Sequence, residues 1–136
     1  MPDDCFMLRS AEDGVRLEFY GGRGPLQLDD DGWTSFFVSL TAPGLQASVR
    51  VIDHFPSHWS ALFRDLAANW SGWQGNKVGD SLEGHLGLSC TNDGLGHIEV
   101  LVDLHDTSHG WRAKGRLILE AGQLEAIARA AERFFG

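Results

Sequence analysis

Between residues 81 and 120 apolar side chains recur at every second position over three runs, and this alternation restricts the segment to strands with one dry face and one wet face. Leu82, Gly84, Leu86, Leu88 and Cys90 make the first row, Ile98, Val100, Val102 and Leu104 the second, and Trp111, Ala113, Gly115, Leu117 and Leu119 the third. The connections Asn92-Asp93-Gly94-Leu95-Gly96 and Thr107-Ser108 have the length and composition of hairpin loops. The segment therefore reads as a three-stranded antiparallel meander. Pairing Cys90 with Ile98 sets Leu86 against Val102 and, on the wet face, Glu83 against His105 and His85 against Asp103. Pairing Leu104 with Trp111 sets Asp103 against Arg112 and Glu99 against Arg116, opposite charges of the kind that favour a register.

The same period of two governs the first third of the chain. Val15, Leu17 and Phe19, then Phe36, Val38 and Leu40, then Leu45, Ala47, Val49 and Val51 alternate with polar residues and stop at Gly, Pro or Asp. Two stretches break it. Trp59, Leu62, Phe63, Leu66 and Trp70 fall on one helical face, with Pro56 or Ser57 to open the helix and Gly72 to close it. Leu124, Ile127, Ala128, Ala131 and Phe135 repeat the pattern after Gly122. These readings predict an α+β domain: an antiparallel sheet of about seven strands with two amphipathic helices, 56–72 and 122–135, packed on one face. Neither a linker nor a repeat divides the chain, so residues 1–136 read as a single domain, large enough to bury roughly 68% of its unfolded surface.

Charge narrows the function classes. The net charge is -8, and residues 80–106 hold six acids and no Lys or Arg. A chain so acidic lacks the positive footprint that nucleic acid or an anionic membrane surface needs, and a basic protein partner suits it better. No apolar run approaches the ~20 residues of a membrane span. Met1-Pro2-Asp3-Asp4 has neither the basic nor the apolar region of a secretory signal, which predicts a cytoplasmic protein. Cys5 and Cys90 lack a Cys-x-x-Cys spacing and a flanking base, so neither reads as a zinc ligand or a nucleophile.

The inferred registers gather Glu83, His85, Asp103 and His105 into a square on the wet face. Two carboxylates and two imidazoles with neighbours ~5 Å apart suit either a divalent metal, acid–base chemistry, or a solvated ion-pair face. Asp93-Gly94-Leu95-Gly96-His97 reads as a turn in which Asp93 bonds its own backbone. Trp70 reads as core, and Trp73, amid Gly72 and Gly75, as either a cover over the helix end or an interface residue. Asp29-Asp30-Asp31-Gly32 lacks the ligand spacing of a calcium loop and reads as a hairpin connection. His54 and His58 are separated by Pro56 without a His-Glu-x-x-His pattern, and there is no Gly-x-Ser-x-Gly element. The sequence thus predicts no cofactor. Its partner-binding candidates are Trp73, Glu83, His85, Asp103 and His105, and the competing reading is a metal- or histidine-dependent enzyme or small-ligand domain built on the square.

The run Trp70-Ser71-Gly72-Trp73-Gln74-Gly75-Asn76-Lys77, then Ser81-Leu82-Glu83-Gly84, Asp93-Gly94-Leu95-Gly96-His97-Ile98, Trp111 and Gly122-Gln123-Leu124 resemble a bacterial family known only as a domain of unknown function. The resemblance covers residues ~60–135. Where this chain has Gly79, that family often carries a large residue. In layout alone, with N-terminal strands, a helix, long antiparallel strands and a closing helix, the chain is similar to the WapI-type immunity proteins. That likeness implies a protein-binding role in which an acidic face masks a basic toxin.

Overall fold

A computed structural model describes residues 5–21 and 26–136; residues 1–4, read above for a secretory signal, lie outside it. The strands are β1 (Cys5–Arg9), β2 (Arg16–Tyr20), β3 (Trp33–Ala42), β4 (Leu45–His54), β5 (Lys77–Asp80), β6 (Leu86–Asn92), β7 (His97–Asp106) and β8 (Trp111–Glu120). Helix α1 (Ser57–Ala68) separates β4 from β5, and α2 (Leu124–Phe135) closes the chain after a 3-10 turn at Ala121–Gln123. The strands form two antiparallel sheets of four, β1-β2-β3-β4 and β5-β6-β7-β8, rather than one sheet of about seven. The α+β class holds. Alternation gave each strand a dry face, and the two dry faces are turned on each other.

The helices wedge between these faces instead of covering one sheet. Phe6, Phe19 and Phe36 of the first sheet meet Phe63 of α1 and Phe134 and Phe135 of α2, with ring centroids 5.2 to 6.3 Å apart. Such ring pairs add about 0.5–1.5 kcal/mol each beyond area burial. Ser60 lets the helices approach closely by donating its hydroxyl to the Ala131 carbonyl at 3.2 Å. Away from the helices the sheets touch directly: a Cβ on Gly115 would lie 2.8 Å from a Leu40 methyl. Against α1 the fit is as close, since a Cβ on Gly79 would lie 2.8 Å from the Trp59 ring and 3.0 Å from Leu62. The fully buried Trp59 indole therefore takes the space that a larger residue at position 79 would need.

Both inferred registers are off by two residues. Cys90 lies opposite Val100 and Leu86 opposite Leu104; Leu104 lies opposite Ala113 and Asp106 opposite Trp111. A shift of two keeps every side chain on its face, so the hydrophobic pattern cannot distinguish the two registers. The expected charge pairs survive as diagonals, with Arg112 Nε 3.3 Å from Asp103 and Arg116 3.6 Å from Glu99. Arginine side chains are long enough for that reach. Helix α1 also stops sooner than expected. Asn69 caps it, its side-chain amide donating to the carbonyl and the carboxylate of Asp65, both at 2.9 Å. Trp70 thus falls beyond the helix and is 60% exposed, not core. Among the described residues no helix is long and apolar enough to cross a membrane.

Candidate interaction surface

The Glu83, His85, Asp103, His105 square is not assembled. Ser81 to Gly84 form a turn, closed by Gly84 N–H on the Ser81 carbonyl at 3.0 Å, with Gly84 at φ +78°, a conformation a side chain resists. The turn breaks the alternation, so His85 and Leu86 are both buried. His85 faces the first sheet, where its Nδ1 accepts the Ile52 N–H at 3.5 Å. His105 lies across from it and contacts Arg112 at 3.3 Å. Glu83 stands exposed on the turn, and Asp103 lies opposite Gly87. Among the described residues no group of three or more His, Cys, Asp or Glu side chains is arranged to hold a metal ion.

Most of the acidic block is paired. Asp93 accepts the Leu95 and His97 N–H groups and contacts His97 Nδ1 at 2.9 Å. The Leu95 bond and then the His97 contacts hold its carboxyl below the usual carboxylate range, and Gly94 at φ +74° completes the expected turn. Asp106 is lowered first by the His109 side chain, 2.9 Å away. Cys90 is buried, and burial pushes its thiol up to about 12, so it stays protonated and inert.

An acid the sequence reading passed over is the most enclosed. Asp53 is 1% exposed at the end of β4, in phase with the inward Val49 and Val51. One oxygen accepts the His54 and Leu82 N–H groups at 2.9 and 3.1 Å. The other accepts Trp59 Nε1 at 2.8 Å and contacts His58 Nε2 at 2.7 Å. Burial alone would raise its pKa, yet the bonds from His58, His54, Trp59 and Leu82 together lower it. All its acceptor positions are filled, so it ties β4, α1 and the 81–84 turn together. Next to it Phe55 is held at φ +47°, its N–H on the Gly32 carbonyl at 2.9 Å and its ring packed over Gly32.

Exposed apolar side chains lie at both ends of α1, Phe55 and Leu82 beside Asp53, and Trp70 at the other end. Trp73 is half-buried and donates its indole N–H to the Cys90 carbonyl at 3.1 Å, with Lys77 5.7 Å from its ring centroid. Trp70, three residues earlier, is turned outward, its carbonyl fixed by Asn92 Nδ2 at 3.0 Å. It borders an open hollow of about 530 Å³ formed with Ala67, Ala68, Ala121, Gly122 and Leu124. The β6–β7 hairpin reaches this area, because Ala121 N–H bonds the Gly96 carbonyl at 2.9 Å, and its tip residue Leu95 is 82% exposed. The signal for this was the length of the helical face: Trp70 lies one full turn beyond Leu66, where a cap at Asn69 turns it to solvent.

Two facing antiparallel sheets of four strands with a helix pair packed between them define a small α+β domain. Within that class the chain belongs to the family described as a family of unknown function, DUF6228, whose model matches residues 8–136. Neither the curated proteins nor the solved structures contain a match to it.

Proposed function

We propose that this domain is a non-catalytic protein-binding module that docks its partner at the Trp70 end of α1. The observation that carries the reading is the pairing of a 60% exposed tryptophan, fixed at its backbone, with a hollow lined by alanines, Gly122, Leu124 and Glu125. Tryptophan is the residue most enriched among interface hot spots, and a rigid one loses little entropy on binding. The net charge of -8 steers basic partners toward it. In its specific form, the immunity type, the partner is a basic toxin that the domain masks, with exposed Glu83 adding to the attraction.

Site-specific photo-crosslinking in the native host tests the reading. A benzoylphenylalanine at position 70 or 95 is expected to give one discrete adduct with a basic protein. The same group at Phe37, on the outer face of the first sheet, should give none. The adduct should weaken as salt rises, since surface charge attraction is screened beyond ~10 Å at about 0.1 M. Equal adducts from all three positions, or none, would overturn the reading.

A further inference from the structure

Two rows of residues cross all four strands on the outer face of the second sheet. One is Asp80, Gly87, Asp103 and Lys114, and the row beside it is Val78, Ser89, Leu101 and Arg116. In a chain of net charge -8 these rows hold two acids and two bases, with the acids on β5 and β7 and both bases on β8. Size is sorted by strand as well. Strand β6 contributes Gly87 and Ser89, and β7 the longer Asp103 and Leu101. Apolar groups stand among them on what alternation makes a wet face, since Val78 is 61% and Leu101 46% exposed.

Asp103 and Arg116 have partners within the chain, in Arg112 and Glu99. Asp80 and Lys114, at the two ends of one row, have no ion-pair partner among the described residues. Three strand spacings of ~4.8 Å separate them, too far for either to reach the other. A half-turn about an axis that runs along the strands between β6 and β7 lays β5 of one copy over β8 of another, and β6 over β7. Each Asp80 then meets a Lys114, each Gly87 an Asp103 and each Ser89 a Leu101, while the stem of Arg116 lies along Val78. Unlike charges face each other, and long side chains face short ones. A half-turn across the strands would instead lay β8 on β8, cation against cation.

We propose that this face binds a second copy of the chain, sheet against sheet, as a two-fold dimer with reciprocal Asp80–Lys114 pairs around a centre of Leu101 and Ser89. A two-fold interface requires a patch complementary to itself, and this one is so in both charge and size. Strands ~4.8 Å apart, with residues rising ~3.3 Å each, make a face of about 400–600 Å², so the dimer buries roughly 800–1,200 Å², at the low end for specific complexes. The net charge of -8 on each copy opposes approach from a distance. The dimer is therefore weak and reversible. Its two rows share no residue with the lining of the Trp70 hollow, and the dimer does not depend on the reading of that hollow.

Sedimentation equilibrium of the whole chain from about 10 μM to about 1 mM, the range in which so small an interface associates, tests the proposal. The average mass is expected to rise with concentration from 14.9 kDa toward twice that value. Asp80→Lys alone and Lys114→Asp alone should each stay monomeric, because each sets like charges together at both reciprocal contacts. Both positions are exposed, so the fold should tolerate either change, and thermal melting checks that it does. Mixed in equal amounts, the two variants should dimerise again, since both contacts of the mixed dimer then join opposite charges. Trp70→Ser should leave the dimer unchanged. A chain that stays monomeric throughout overturns the second copy as occupant of this face. Self-association that neither charge variant reduces, or that Trp70→Ser abolishes, places the contact elsewhere and also overturns the proposal. So does a mixture of the two folded variants that remains monomeric.

Discussion

Trp59 and Trp70 belong to one periodic apolar face, yet the first is fully buried and the second is 60% exposed. At the Trp59 end of α1 both oxygens of the buried Asp53 carboxylate have partners inside the fold. The indole N–H, the His58 ring and two backbone N–H groups converge on Asp53, and the ring itself fills the space beside Gly79. At the Trp70 end the helix is capped by its own Asn69, the backbone is tied to Asn92, and the indole is left to solvent beside an open hollow. One helix thus joins an end whose tryptophan is built into the core to an end whose tryptophan is left outside it. A large apolar group left outward on a fixed backbone costs little in the free protein and becomes favourable only when a partner covers it.

The sharpest way to break this comparison is Trp59→Ala. It opens a large cavity and removes a donor from a buried carboxylate, so the expected loss is about 3–5 kcal/mol in urea unfolding. A loss near that of an exposed residue would remove the distinction between the two ends. Acid titration probes the same hub. Because the folded-state pKa of Asp53 is lowered, its contribution is present above the unfolded value of ~3.9 and disappears as pH falls through the folded value. Asp53→Asn should therefore be less stable than the wild type at neutral pH, by about 1–3 kcal/mol, and the gap should close on acidification. Asp93 and Asp106 are also lowered and share the overall acid slope, so the difference between the two proteins is the quantity to measure. A gap that stays constant down to strongly acid pH would contradict the lowered Asp53.

Sequence made the faces legible and left the pairings open. Leu86, Leu88 and Cys90 point inward as alternation requires, but a two-residue slip costs alternation nothing, and so the square of Glu83, His85, Asp103 and His105 rested on a register that the pattern could not fix. Arg112 and Arg116 find Asp103 and Glu99 in either register, which shows why charge pairing was a weak arbiter. Alternation is equally silent on whether eight strands make one sheet or two. One single-residue signal did point to the hub: Asp53 stands in the inward row of its strand. It departs from the pattern of that row, and such a departure marks where something other than core formation decides the residue.

Gly79→Val sharpens the comparison at intermediate cost. Its side chain would press on Trp59 and Leu62, in a part of the core that two elements already fill, so a loss of about 1–3 kcal/mol is expected. Pairing it with a smaller residue at position 59 should recover part of that loss; if the double variant is no better than the sum of the singles, the close approach of Trp59 is not what keeps position 79 as glycine.

Trp70→Ser is the smallest expected change in stability and the most telling for function. Among the described residues the indole has no hydrogen-bond partner, and the backbone bond from Asn92 does not depend on the side chain, so unfolding free energy should stay within ~0.5 kcal/mol of the wild type. Crosslinking through Leu95 should nevertheless vanish, because a hot-spot residue is removed from the centre of the contact. The two readouts separate the roles: a fall in stability comparable to that of Gly79→Val would place Trp70 in the core after all, whereas unchanged stability with unchanged crosslinking would leave its exposure without an interaction to explain it.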